Sequence, residues 1–266
     1  MKKIFIDIGH GDPKKNGGAS YKGRTEAADV IRLSHRVGDL LKEQGVDVRF
    51  SRADNEDPDL SVRCRNANEW SADYFVSVHR NACSPNVARG VEAYVYHNCN
   101  TSGNTYKYAK SIVDNLCRDC NFINRGTKLG YTGNPKADYQ VNRETKMDSC
   151  LLEVGFVDSD TDNNIFDTRF ETMALSIAKS LCAIVGITYM PKSENKQETA
   201  KTTVKNEYEV CVGGAVSKVV AEIIADRLRK AGEDCVYIRK IGDVNLDGKV
   251  SVEDAREILR KATGLE

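Results

Sequence analysis

Four side chains early in the chain combine the types needed for metal-assisted hydrolysis. They are His10 in IFIDIGHG, Glu26 in GRTE, His79 in YFVSVHRNA and Glu153 in SCLLEVGF. The apolar runs ahead of His10 and His79, and the run around Glu153, read as buried strands of a parallel sheet. Polar side chains emerging at the ends of such strands usually serve a site. Two imidazoles and a carboxylate suffice for a zinc centre with an open fourth position, and the remaining carboxylate is then left to move protons.

Taken singly, each of these residues has a plainer reading. A lone histidine at a strand end is commonly a hydrogen-bonded core residue. Glu26 opens a helix, where an acid complements the helix dipole. Glu153, amid LL and VGF, could pair with an arginine elsewhere, because an ionised carboxylate in an apolar setting is costly without a partner. Beside an activated water the same group has a use: it takes a proton and returns it to a leaving amine. Asn81, two residues past His79, suits either substrate contact or support of the loop. His35 on a helix face and His97 at the exit of GVEAYVYH suit structural or solvent-facing roles. Cys117 and Cys120 form a CxxC on an amphipathic helix without a second pair, which argues against a structural zinc site.

The elements that would position these groups alternate between the two periodicities. Val30, Leu33, Val37, Leu40 and Leu41 recur at helical spacing over 25–44, stopped by Gly45. VDVRF, YFVSVH, GVEAYVYH and SCLLEVGF read as strands, with helices at 105–119 and 170–185 between and after them. The expected class is α/β, a mostly parallel sheet covered by helices on both faces. The catalytic unit is expected over 1–188. A polar linker, PKSENKQETAKTT, falls within 189–204, and a small module occupies 205–266.

In that module YEVCVGG, an amphipathic helix carrying Val220, Ile223, Ile224 and Leu228, and DCVYIRK read as a βαβ unit, in which Cys211 and Cys235 could be neighbours. The chain then runs GDVNLDGKVSVEDAREIL. Asp243, Asn245 and Asp247 alternate along a loop, Gly248 supplies a sharp turn, Lys249 offers a carbonyl, and Asp254 falls at the twelfth position. Such a crowd of oxygens suits Ca²⁺. Ile258 and Leu259 start the helix that follows and leave an apolar face to cover, on the βαβ unit or by pairing of two chains.

Composition bounds the partners. Lys plus Arg and Asp plus Glu both total 39, so the formal net charge is zero and no basic footprint speaks for nucleic acid. Nine cysteines, without a regular framework, suit reduced thiols. The opening MKKIFIDIGH carries Asp7 within its apolar run and reads as a core strand, not a signal peptide. No run reaches the length of a membrane span. These features predict synthesis in the cytoplasm.

Read in order, IFIDIGHG, GRTE, RNANEWSADYFVSVHRNA, GVEAYVY and LLEVGFVDSDTDN closely resemble the motif set of zinc-dependent N-acetylmuramoyl-L-alanine amidases, across about residues 1–188. The resemblance implies hydrolysis of the amide joining the glycan lactyl group to the stem peptide of bacterial peptidoglycan. It also implies Zn²⁺ held by His10, Glu26 and His79, and Glu153 as the catalytic acid–base. GYTGNPKADYQVNRETKM would border the cleft and contact the stem peptide. A wall-cutting enzyme without a leader is similar to a phage endolysin, made in the cytoplasm and acting on the wall. The tail resembles half of a SPOR-type wall-binding domain followed by a single dockerin repeat.

Two departures from the family pattern bear on substrate preference. The loop GHGDPKKNGGAS is longer and more basic than usual, and EAADVIRL lacks the common Lys or Asn after the glutamate. Two rival readings remain open: a non-catalytic wall- or cohesin-binding protein, and a zinc carboxypeptidase-type amidohydrolase on the same scaffold.

Overall fold

The computed structural model describes residues 1–83, 87–131 and 138–191, together with the backbone of two strands, Glu207–Cys211 and Cys235–Arg239. The chain divides into two compact units, Met1–Ser193 and Glu194–Glu266. Among the described residues no helix is long and apolar enough to cross a membrane.

The first unit is built on a six-stranded sheet of β1 (Lys3–Ile8), β4 (Asp47–Phe50), β5 (Tyr74–Asn81), β6 (Val91–Val95), β7 (Asn124–Leu129) and β8 (Ser149–Phe156), in the order β4-β1-β5-β8-β6-β7. All neighbours are parallel except β6 and β8, which run antiparallel. The expected α/β architecture is therefore present.

Strand alternation assigns the two faces. Ile4, Ile6 and Ile8 of β1, with Val76, Val78, Leu152 and Val154, pack under α1 (Glu26–Glu43), α3 (Asn104–Cys120) and α6 (Phe170–Ile184). Each fully buried side chain of this kind stabilises the fold by about 1.5–3 kcal/mol. The intervening residues Phe5, Phe75 and Leu151 face α2 (Leu60–Trp70) and α4 (Gln140–Glu144), with Cys64, Ala67, Trp70 and Val141 completing a smaller core. On that second face the next positions along the strands are Asp7, Ser77 and His79, and Glu153, all buried or half-buried polar groups. The site thus continues the smaller core toward the carboxyl ends of the parallel strands, where side chains leave the sheet.

Helix α1 begins and ends as its residues dictate. Thr25 has extended backbone and its hydroxyl caps the Ala28 N–H at 3.4 Å. Before it lies a short antiparallel hairpin, β2 (Ser20–Tyr21) and β3 (Arg24–Thr25), closed through Lys22 (φ 49°) and Gly23 (φ 81°). Two successive residues at positive φ match the twist of tight hairpins. This hairpin delivers Glu26 as the first residue of α1. The remaining helix of the unit, α5 (Asp160–Thr168), starts at Ser159, whose hydroxyl accepts from the Asp162 N–H.

In the second unit β9 (Glu207–Cys211) and β10 (Cys235–Arg239) pair in parallel. The register sets Cys235 beside Glu207 and Cys211 beside Arg239, so the two cysteines occupy opposite ends of the pair and are not neighbours. Asp243, Asn245, Asp247, Lys249 and Asp254 of the expected calcium loop lie outside the described residues, as do most of the linker and the GNPKA portion of the loop before α4.

Candidate metal centre

His10, Glu26 and His79 converge although they come from a loop, a helix start and a strand end. Glu26 Oε2 lies 2.9 Å from His10 Nε2, and Glu26 Oε1 lies 3.0 Å from His79 Nδ1. The imidazoles meet edge to face with centroids 4.9 Å apart. One donor atom from each residue falls within 4.8 Å of the others, a grouping that could hold a metal ion.

Glu26 is almost fully buried. It also accepts from the backbone N–H of Ala19 at 3.1 Å and of Arg80 at 2.9 Å. Burial alone would raise its pKa; the hydrogen bonds from His10 and His79 outweigh that and hold the carboxyl well below its ordinary range. For His79 burial favours the neutral ring, yet the hydrogen bond and charge of Glu26 prevail and raise it to about 9.

Glu153 stands directly across the β5–β8 ladder from His79. It is 9% exposed, and its Oε2 has no hydrogen-bond partner. Burial, aided by the negative charges of Glu26 and Glu92 and opposed by His79, lifts its pKa to about 7. A buried carboxylate oxygen without a donor is costly. Glu153 lines a cleft of about 630 Å³ that is also lined by His10, Glu26, His79, Asn81 and Tyr139. The ion pair with an arginine, the plainer reading for Glu153, is absent among the described residues.

Buried cations fix the loop that carries His10. Arg63 donates to the carbonyls of Ile8 at 2.7 Å and His10 at 2.6 Å and to Asp7 at 3.0 Å. Arg52 donates to the carbonyls of Ile8 and Gly9, both at 2.9 Å. So braced, His10 adopts φ 59°, uncommon outside glycine and consistent with strain held at a functional position. On the other side, Arg80 joins Asp29 of α1 to the carbonyls of Val154 and Phe156 on β8. It thereby locks the helix bearing Glu26 to the strands bearing His79 and Glu153. No local pattern marks Arg52, Arg63 or Arg80 as site residues; their pairing becomes visible only when distant segments meet.

Gly18 closes the cluster from above. Its φ is 68°, and a Cβ there would fall 2.6 Å from His10 Cδ2 and 2.7 Å from Glu26 Oε2. Any metal held by the cluster is therefore expected to bind roughly 10–100-fold more weakly in Gly18→Ala, comparable to losing a group that orients a ligand. A zinc titration against a chelating dye would measure it, and wild-type affinity would mean that the loop yields without disturbing the cluster.

The other sequence candidates are placed as follows. Asn81 lines the cleft, but its amide is engaged: Nδ2 donates to Glu92 Oε1 at 2.8 Å and Oδ1 accepts from the Ala82 N–H at 2.8 Å. His35 pairs with Asp54 at the surface, and His97 with the buried Asp138 at 2.9 Å, both away from the three-residue cluster. Cys117 and Cys120 are buried free thiols on α3.

Comparison with known proteins identifies the family. Residues 4–183 match the model of the Amidase_3 family, described as N-acetylmuramoyl-L-alanine amidase. The chain is 29% identical over 246 residues to the sporulation-specific N-acetylmuramoyl-L-alanine amidase of Bacillus subtilis, covering 90% of this chain and 86% of that protein. It is 30% identical over 211 residues to the endolysin of Bacillus phage SPP1, covering 76% of this chain and 74% of that one. Among solved structures, the catalytic domain of the amidase CwlV from Bacillus (Paenibacillus) polymyxa var. colistinus superposes with a TM-score of 0.61 at 26% identity, covering 71% of this chain and all of that domain. The chain belongs to the N-acetylmuramoyl-L-alanine amidase family and is a peptidoglycan hydrolase that cuts the amide between N-acetylmuramic acid and the L-alanine of the stem peptide.

Proposed function

We propose that this hydrolase is zinc-dependent, with His10, Glu26 and His79 as the metal ligands and Glu153 as the acid–base. The observation that supports it most is the unpartnered oxygen of a buried carboxylate beside a cluster of two imidazoles and a carboxylate. Nitrogen and oxygen donors in a three-ligand set suit Zn²⁺ with a position left open. Zinc bound there supplies Lewis-acid polarisation of the scissile carbonyl and lowers the pKa of water to about 7.

The protein's own groups do the rest. Glu153 accepts a proton from the attacking water as the new C–O bond forms. It passes that proton to the alanine nitrogen as the C–N bond breaks, so the peptide leaves as a neutral amine. Arg52 and Arg63 keep His10 in place, and Arg80 keeps Glu26 and His79 in register. Asn81 and the described part of the loop before α4, including Tyr139, line the path of the substrate.

The test is product analysis on purified muropeptides. The zinc-loaded protein is expected to release intact stem peptide with a free L-alanine amine, and chelation is expected to abolish release. Loss of a terminal residue would instead favour the carboxypeptidase reading, and no cleavage the non-catalytic one.

The biological setting proposed is that of an endolysin, supported by the likeness to the phage SPP1 enzyme. A role in sporulation is the second reading, favoured by the long alignment with the Bacillus subtilis enzyme, which takes in much of the tail. Residues 205–266 are proposed as a wall-targeting or association module that raises local substrate concentration. One Ca²⁺ would be held by Asp243, Asn245, Asp247, Asp254 and the Lys249 carbonyl, with dimerisation through the module as a consequence. Residues 1–188 alone are expected to cleave soluble muropeptides as fast as the full chain but intact walls more slowly; failure on the small substrate would make the tail part of the catalytic fold. Calorimetry and sedimentation with calcium test the other half: no heat removes the Ca²⁺ site, and a calcium-loaded monomer removes the pairing.

A further inference from the structure

Glu92 stands on β6 directly across the antiparallel ladder from Glu153, just as Glu153 stands across the parallel ladder from His79. It is 1% exposed, and both its oxygens are in use. Oε1 accepts from Asn81 Nδ2 at 2.8 Å and from the Tyr94 hydroxyl at 2.9 Å. Oε2 accepts from Arg125 Nε at 2.7 Å and Lys128 Nζ at 2.5 Å. Facing residues of an antiparallel pair carry Cβ atoms about 4.5–5.5 Å apart. The two carboxylates therefore share one small region, and among the described residues both cations serve only one of them.

The Arg125 guanidinium already lies over the ring of Phe156 on β8, 4.9 Å from its centroid. Lys128 has a flexible four-carbon stem. If Glu92 lost its charge, the buried anion directly across the ladder from it, with an unfilled oxygen, would be Glu153. A cation docked there would tie up the carboxylate that has to accept a proton from water.

We propose that Glu92 is a positioning residue that sequesters Arg125 and Lys128 and so keeps them off the Glu153 carboxylate of the cleft. The proposal rests on Glu153 being the acid–base of the amidase. It differs from a purely structural role in one respect: the damage done by neutralising Glu92 should depend on the two cations it releases.

Steady-state hydrolysis of a soluble muropeptide by the zinc-loaded full chain tests this, with zinc content and melting temperature measured in parallel. Glu92→Gln is expected to keep zinc and KM while kcat falls roughly 10²-fold, at the lower end of removing an acid–base. Adding Arg125→Met and Lys128→Met is expected to restore at least about tenfold of that loss. A crystal structure of Glu92→Gln is expected to show Arg125 or Lys128 bonded to Glu153. Wild-type kcat in Glu92→Gln, or a folded, zinc-loaded triple variant as slow as the single one, would overturn the proposal. If Glu92→Gln fails to fold, the triple variant decides: activity supports sequestration, and inactivity or failure to fold refutes it. A wild-type protein that leaves the muropeptide intact would refute the amidase mechanism itself, a separate failure visible in the same assay.

Discussion

Glu153→Gln is expected to retain zinc and to lower kcat by roughly 10²–10⁴-fold, the range for taking away a positioned proton carrier. The amide matches the carboxyl in size, so the cleft keeps its form, but it cannot accept water's proton and hand it on. Metal loss in this variant would make Glu153 a ligand, and unchanged turnover would make it structural. The same substitution has a second, pH-dependent signature in metal-stripped protein. In the folded chain the Glu153 pKa is raised from 4.5 to about 7, chiefly by burial. As pH climbs from 4.5 toward 7 the unfolded chain has released this proton while the folded chain still holds it, so the stability that protonation provides below 4.5 is progressively lost. The loss levels off above pH 7, at about 3 kcal/mol as a ceiling. The amide of the variant does not titrate. The melting temperatures of wild type and variant should therefore be close near pH 4.5 and diverge toward pH 8, with the variant the more stable. A constant difference across that range would mean that Glu153 is not held in an apolar setting.

What the chain discloses before folding, and what it conceals, follows from the range of the interactions involved. The strands bearing His79 and Glu153, and the helix opened by Glu26, are visible because apolar periodicity and capping are local. Helix α1 runs from Glu26 to Glu43 between caps at Thr25 and Gln44, matching the expected 25–44 closely. Helix α2 gives little local signal, since Arg63, Arg65, Asn66 and Asn68 interrupt its apolar face and only Cys64, Ala67 and Trp70 join the smaller core. β7, NRGTKL, lacks an apolar alternation because it is an edge strand whose Arg125 and Lys128 serve Glu92. The antiparallel placement of β6 is likewise hidden: it puts Glu92 opposite Glu153, a pairing that depends on which strand is neighbour to which. Convergence of His10, Glu26 and His79 could be expected from motif order, whereas the arginines that brace them act through backbone carbonyls far away in sequence.

Glu26→Gln should be the most damaging change in the cluster, and for a different reason from Glu153→Gln. Each oxygen of Glu26 accepts two donors: Oε2 from His10 and the Ala19 N–H, Oε1 from His79 and the Arg80 N–H. Whichever way a glutamine amide is turned, its NH₂ must face a backbone N–H, leaving at least one buried donor unsatisfied at a cost of about 1–3 kcal/mol. The negative charge that would draw a cation between the imidazoles is also gone. Zinc affinity is therefore expected to fall by more than roughly 10²-fold, beyond the 10–100-fold typical of groups that only orient ligands. Activity should fall to background at zinc concentrations that saturate wild type. Excess zinc is expected to restore part of the activity, since Glu153 and the braced His10 remain; the same excess should do nothing for Glu153→Gln. That contrast separates holding the metal from moving the proton, and it needs only metal analysis and rates over a zinc titration. Wild-type zinc stoichiometry in Glu26→Gln at sub-micromolar metal would remove Glu26 from the ligand set and leave it as the hydrogen-bond hub that joins the Ala19 loop, α1 and β5.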